Sequence, residues 1–419
     1  MNNYILKNGT VYLDGQFVKK DLAIVAGKVS FSIPSNTSSF IIVDCLNKHI
    51  LPGFVDVHVH LREPGFSYKE TIKSGTTAGA SAGYSAVFSM PNLKPVPDSV
   101  ENLMVQKDII DKDAVIKVYP YASITKGQKG ETLSDLEQLA NHVLAFSDDG
   151  VGVQDDNMMK KAMQIAKSRD KMIVAHCEDN TLLNGGYIHD GEYAKTHGHK
   201  GISSASEYKQ VERDLELVKE IGVKYHVCHV SAKESVSAIR KAKSEGVNVT
   251  AETGPHYLLL DDSMLKEDGA YKMNPPIRAK EDRLALIEGI KDGTIDMIAT
   301  DHAPHSVEEK SNGLKSVNGI VGLETAFPVS YTKLVKGGEI SLEKLVDLMS
   351  QNPSKRFGLD IEINQGKTAN LCVFDLETEY KISSQEFYSK GKSTPFDGMS
   401  VYGKCLMNFT DGKLVYKKK

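Results

Sequence analysis

Between residues 51 and 300 the chain repeats one pattern. A short apolar run is followed by a longer stretch in which apolar residues recur every three or four positions. Eight such runs can be marked: Phe54–His60, Ser85–Met90, Ile116–Tyr121, Leu144–Ser147, Met172–His176, Tyr225–Val230, Val247–Glu252 and Asp296–Thr300. Helical periodicity lies between them, as in Asn157–Ser168, Ser206–Ile221, Ala232–Glu245 and Lys280–Ile290. Strands apolar on both faces, alternating with amphipathic helices, indicate a parallel sheet covered by helices. Eight such units predict a closed (β/α)8 barrel, the TIM barrel of the α/β class. An open doubly wound sheet is the alternative, but it usually carries a glycine-rich phosphate loop after its first strand, and none is present here.

The two ends of the chain read differently. Tyr4–Lys7, Thr10–Leu13, Asp21–Val25 and Phe40–Asp44 are short strand patterns punctuated by NGT, DGQ and AGK. The opening MNNYILKNGTVYLDG reads as a hairpin. Near the other end, ANLCVFDLE and YKISS read as strands, and FTDGKLVY as a hairpin with an Asp-Gly turn. Residues 1–50 and 356–419 are therefore expected to pair into one small β-sandwich domain beside a barrel domain at 51–355.

Polarity within the strands then changes the picture. In GFVDVHVHLREPG, residues 53–65, Val55, Val57 and Val59 share one parity, and Asp56, His58, His60 and Arg62 share the other. Successive strand residues point to opposite faces, so the polar set is predicted to lie on the inner face. Barrel active sites sit at the C-terminal ends of strands. Those ends read His58 and His60 on the first, Asp148-Asp149 on the fourth, His176 on the fifth, His229 on the sixth and Asp301 on the eighth. A single histidine at a strand end is ordinary polar lining, and an aspartate pair alone would cap the next helix. Five strand ends converging on one rim predict a metal site instead. Imidazole and carboxylate suit zinc, manganese, iron or cobalt.

Composition narrows the rest. The 419 residues are 40% hydrophobic and 25% charged, with a formal net charge of −4. No basic stripe points to nucleic acid. No apolar run is long enough to span a membrane, and the N-terminus lacks the apolar core of a secretion signal. Five scattered cysteines without CxxC spacing suggest reduced thiols and a cytoplasmic protein.

Several stretches together carry a resemblance: DVHVHLREPG (56–65), KET (69–71), MPN (90–92), SDDGVGVQ (147–154), VAHCEDN (174–180), HVCHVS (226–231), KMNPP (272–276), ATDHAPH (299–305) and GIVGLETAF (319–327). Over nearly its whole length the sequence resembles the bacterial type I dihydroorotases of the amidohydrolase superfamily. The resemblance implies two divalent metals, usually zinc, at the barrel mouth. His58 and His60 with Asp301 would hold the first, and His176 and His229 the second. Asp149 would bridge them, where many superfamily members use a carboxylated lysine; Asp148 is the alternative, with helix capping or hydrogen bonding near the ligands as its other role. Arg62, Asn92 and His305 would hold a substrate carboxylate, His60 would also touch substrate, and Asn274 with the backbone of Asn318 and Gly319 would contact a pyrimidine ring. Arginine is the fork donor suited to a carboxylate.

The implied reaction is reversible hydrolysis of the cyclic amide of L-dihydroorotate to N-carbamoyl-L-aspartate, with Asp301 as proton carrier. A homodimer and association with aspartate transcarbamoylase are implied as well. Asp56 is expected to hydrogen-bond near the ligands, and His256 to be structural or to support the ligands from behind. The chain departs from the family pattern at Leu93, at Glu252-Thr-Gly-Pro-His256-Tyr257 and at Val317-Asn318-Gly319. Dihydropyrimidinases, hydantoinases and allantoinases share the HxH and the final aspartate, but they usually present the lysine and need no arginine two positions beyond the HxH. A dihydroorotase relative that had lost its metal ligands would serve only as a partner of the transcarbamoylase; here every ligand position is filled.

Overall fold

The computed structural model describes residues 2–418. All eight barrel strands form: Phe54–Val59, Tyr84–Ser89, Lys117–Pro120, Ala145–Phe146, Met172–Ala175, Lys224–Val227, Val249–Thr253 and Met297–Ile298. The first three pair in parallel, and the last five do the same. Two seams close the cylinder. One is a parallel bridge between Ala122 and Phe146, and the other joins Val59 to His302. At the second seam His60 N donates to His302 O at 2.8 Å.

The fourth and eighth strands are shorter than their apolar runs, because their ends leave the ladder. Thr300 N, for example, bonds the Asp56 carboxylate rather than a strand carbonyl. The predicted helices cover the outside at Asp156–Ser168, Ala205–Ile221, Lys233–Ser244 and Lys280–Asp292. The first of these is capped by the Asp155 side chain, which accepts from Met158 N.

Strict alternation fails in the first strand. Val55 and Val57 join the apolar cluster inside the barrel, with Phe88, Val174, Met297 and Phe357. Val59 instead joins the cluster shared with the helices. Pairing with the second strand is irregular between Asp56 and Val59. The Asp56 carboxylate fills the gap, accepting from His58 N at 3.0 Å and from Thr300 N at 3.2 Å. A local bulge therefore re-aims the strand end, a common device beside active sites.

The chain ends form two facing sheets. One holds Asn3–Lys7 between Leu22–Val25 and Phe40–Asp44, with Lys28–Ser30 at the edge. The other runs, in spatial order, Lys413–Lys417, Lys404–Thr410, Leu371–Asp375, His49–Pro52, Thr10–Leu13 and Gln16–Lys19, so it takes strands from both ends. Leu6 and Ile24 of the first sheet pack with Val11, Ile50, Leu371 and Phe409 of the second.

The opening residues are not one hairpin. Their two strands go to different sheets. The type I′ turn that an Asn-Gly hairpin favours needs positive φ at both positions. Asn8 has it, at 63°, and Gly9 does not. The hairpin forms one step later, between Thr10–Leu13 and Gln16–Lys19, across Asp14 and Gly15 at φ 48° and 80°. The hairpin expected at Asp411-Gly412 is present. Gly53 joins sandwich to barrel, where a Cβ would lie 1.9 Å from Ser85 Oγ. All five cysteines are buried and free. Among the described residues no helix is long and apolar enough to cross a membrane.

Candidate metal centre and the cavity above it

The rim brings the sequence-marked ligands together. Asp149 Oδ1 lies 3.4 Å from His58 Nε2, 3.5 Å from His176 Nδ1 and 3.4 Å from His229 Nε2. Its other oxygen is 3.4 Å from His60 Nε2. Asp301 Oδ1 is 3.4 Å from His58 Nε2 and 3.0 Å from His60 Nε2. His176 Nδ1 and His229 Nε2 are 2.9 Å apart. Two donors bound tetrahedrally to one zinc-sized ion are separated by about 3.3 Å, so most of these spacings suit a shared cation.

Two further observations support that fit. His58 Nε2 and Asp149 Oδ1 are buried with no hydrogen-bond partner among the described residues. Each such orphan costs about 1–3 kcal/mol unless something satisfies it. The charges also call for a cation. Burial works against a charge on His58, yet Asp149, Glu252 and Asp301 drive its pKa well above the ordinary value. Burial likewise acts to raise Asp149, and the surrounding imidazoles hold its carboxyl well below the usual range. The donor set thus fits divalent metal.

Neighbouring groups aim the ligands, and several were invisible in the sequence. Glu252 Oε1 lies 2.7 Å from His58 Nδ1, and its Oε2 lies 3.0 Å from His226 Nε2. A proton on His58 Nδ1 donated to Glu252 leaves the Nε2 lone pair facing the cluster, the usual way a carboxylate fixes a ligand tautomer. Glu178 Oε2 is 3.6 Å from His176 Nε2, while its Oε1 accepts from Asn274 Nδ2 at 2.9 Å.

Asp148 turns away from the imidazoles. It accepts from Ile124 N at 2.8 Å, from Thr125 N at 3.2 Å and from the Thr125 hydroxyl. Burial lowers His256 to about 4, so this ring is neutral near pH 7, and its Nε2 has no partner among the described residues. Arg62, His229 and Asp301 all hold left-handed backbone, with φ of 60°, 32° and 47°. Such strain costs about 1–3 kcal/mol per non-glycine residue and collects at functional sites.

A cavity of about 160 Å³ opens above the cluster, lined by His60, Arg62, Asn92, Asp149, His176, His229, Asn274, Asp301, His305, Asn318 and Gly319. Arg62 Nε donates to Pro304 O at 3.3 Å, and its Nη2 lies 3.1 Å from His305 Nε2. Burial first, then Arg62 and Lys69, push His305 down to about 3. The ring is therefore neutral and accepts from Arg62. Its Nδ1 is 3.3 Å from Glu309 Oε2, whose partner oxygen pairs with Lys69 Nζ at 2.8 Å. Asn92 Nδ2 donates to Asp149 O at 2.6 Å. The Oδ1 atoms of Asn92 and Asn274 are buried without partners among the described residues. The cavity therefore offers one guanidinium and two unpartnered amide oxygens beside a carboxylate–imidazole cluster.

Comparison with known proteins agrees with this arrangement. A family model described as dihydro-orotase-like matches residues 47–235. The dihydroorotase of Fusobacterium nucleatum is 49% identical over 416 residues, which is 98% of each chain. That of Listeria monocytogenes is 49% identical over 421 residues, 99% of each chain. Among solved structures, an L-hydantoinase (dihydropyrimidinase) from Arthrobacter aurescens superposes with a TM-score of 0.87 at 27% identity, covering 100% of this chain and 97% of its own. A dihydropyrimidinase from Brevibacillus agri, 24% identical with a TM-score of 0.85 over 99% of this chain and 95% of its own, has the same fold. With half of its residues shared along almost its entire length, the chain belongs to the dihydroorotase family of the amidohydrolase superfamily.

Proposed function

We propose that the rim catalyses the reversible opening of the cyclic amide of L-dihydroorotate to N-carbamoyl-L-aspartate, a step of pyrimidine synthesis. The observation that carries this reading is Arg62. It places a guanidinium in the same small cavity as Asp149 and Asp301, beside a histidine kept neutral. A carboxylate-bearing ring has a use for that group, and an uncharged cyclic amide has none.

In this reading residues 51–355 are the catalytic unit, and the two chain ends support it as a sandwich. His58, His60 and Asp301 would hold one divalent ion, and His176 and His229 a second, with Asp149 shared between them. Zinc is the ion that the donor chemistry favours. When bound, such ions supply an acidified water and polarise the amide carbonyl.

The chain's own residues do the remainder. Arg62 pairs with the substrate carboxylate, assisted by Asn92 and His305, and so fixes the ring in one pose. Asn274 and the backbone of Asn318 and Gly319 receive the polar edge of the ring. Asp301 accepts a proton from the attacking water and delivers it to the departing ring nitrogen. Its place just beyond the eighth strand, with Oδ1 3.0 Å from His60 Nε2 and 3.4 Å from His58 Nε2, suits that shuttle. Glu252 keeps His58 in the tautomer that binds metal.

The likeness to a hydantoinase favours a second reading, hydrolysis of an uncharged cyclic amide. Turnover of L-dihydroorotate and of a 5-substituted hydantoin by metal-loaded wild type and Arg62→Met separates the two. The wild type should favour L-dihydroorotate. The variant should lose that activity by ~10–100-fold, the scale of a charge-assisted hydrogen bond, with hydantoin turnover little changed. A wild type that prefers the hydantoin would establish the second reading.

A further inference from the structure

Lys310 lies beyond the metal cluster, in the loop after the eighth barrel strand. It is 8% exposed. Its Nζ donates to three backbone carbonyls: Lys272 O at 2.9 Å, Val317 O at 2.8 Å and Gly319 O at 2.7 Å. An ammonium has three donors and no acceptor, so these bonds use it completely.

The three carbonyls belong to two segments of irregular backbone. Lys272 stands two residues before Asn274, and Val317 and Gly319 flank Asn318. The segments touch directly through Gly319 N to Lys272 O at 3.1 Å. Asn274 on one side, with Asn318 and Gly319 on the other, lines the cavity above the metal cluster. Gly319 has no side chain to anchor it, and at φ +130° a Cβ there would come within 2.6 Å of Ala303 O.

Burying a cation is costly, and a methionine would fill the same space without that cost. Burial first, then Lys272, pushes Lys310 down to about 7. The cost is sensible if a three-donor pin is required at this junction: the nearest ladder contact is the bridge from Ile320 to His302, one residue beyond Gly319, and Lys272–Asn274 lies in no strand.

The geometry points to Lys310 as a positioning residue that ties the Lys272–Asn274 and Val317–Gly319 walls together and so sets the width of the ring-binding slot. This rests on the reading of Asn274, Asn318 and Gly319 as ring contacts. A catalytic role is not implied, because Lys310 does not line the cavity.

The test uses metal-loaded full-length protein as wild type, Lys310→Met and Lys310→Arg. Three quantities are read: steady-state kinetics with L-dihydroorotate, metal content, and hydrogen exchange of amides 313–319. Lys310→Met should raise KM at least ~10-fold with kcat within ~3-fold, the signature of lost substrate positioning, at unchanged metal content. Exchange at Val317–Gly319 should quicken. Lys310→Arg keeps the cation and several donors, so it should show a smaller rise in KM; if the Met variant fails to fold, this partial loss carries the test. Unchanged KM in the folded variants, or a fall in kcat alone, would overturn the proposal. If the wild type does not turn over L-dihydroorotate, the functional reading fails by itself. The exchange measurement then decides the pin: faster exchange at 317–319 upholds it, and unchanged exchange removes it.

Discussion

The two ends of the barrel interior are made by the same strands and obey opposite rules. Toward the N-terminal ends, Val55, Val57, Phe88, Val174 and Met297 pack against one another and against Phe357 of the helix Asn352–Phe357, with the Phe88 and Phe357 ring centroids 4.5 Å apart. A step or two further along, the same strands present His58, His60, Asn92, His176 and Asp301. On the fifth strand the inner series is Met172, Val174, His176; on the eighth it is Met297, Ala299, Asp301. The lower end satisfies itself by dispersion and the removal of apolar surface from water. The upper end buries polar atoms whose demands the protein leaves unmet. One end is a finished core, and the other leaves donors and acceptors unpaired where the proposed ions and substrate would sit.

Substitutions at the two ends should therefore fail differently. The largest effect is expected from His58→Ala, which removes one of the proposed metal ligands from the upper end. Metal content should fall and turnover drop to the limit of detection, while the barrel still melts cooperatively. Phe88→Ala at the lower end should do the reverse. It should cost about 3–5 kcal/mol of stability, seen as an earlier thermal or denaturant transition, with near-normal activity per folded molecule.

Asp301→Asn probes the upper end more finely. The amide keeps the shape and an oxygen ligand but cannot take a proton. At least one ion should stay bound while turnover falls at least ~100-fold, the scale of a general acid–base contribution. Near-normal rates with full metal would move the proton shuttle to His305.

The smallest effect concerns a buried histidine away from the rim. Carboxylates raise His58, whereas burial, then Arg278, Lys195 and Lys233, lower His189 to about 4. Below the ordinary histidine pKa of about 6.5 the unfolded chain binds a proton that folded His189 refuses. Stability should thus fall as pH drops from about 6.5 toward 4, by about 1 kcal/mol near pH 5.5, and His189→Gln should flatten that slope in a pH series of denaturant melts. An unchanged slope would mean that the ring is hydrated in the folded state.

The sequence made the strand ends legible because period two and strand termini are local properties. His60, His176 and Asp301 could be read in that way, and the barrel followed from the count of βα units. Other features depend on what the sequence does not carry. The partnership of Glu252 with His58 needs the placement of the seventh strand against the first. His229 enters the cluster through a left-handed backbone, φ 32°, that no alternation predicts, and Val230 packs outward beside it. The bulge at Asp56 breaks the parity that the three valines suggest. Lys310 looks like a surface lysine until the loops at Lys272 and at Val317–Gly319 converge on it. Asp149 could be separated from Asp148 only by resemblance, and the difference appears once Ile124 and Thr125 are seen to claim Asp148.

The central claim is that the rim is a metal centre serving a cyclic amidase. Elemental analysis of the same sample that is assayed with L-dihydroorotate tests it most directly. The account predicts about two divalent ions per chain, with activity that disappears on chelation and returns in proportion to the metal restored. A sample fully active with well under one ion per chain would contradict it.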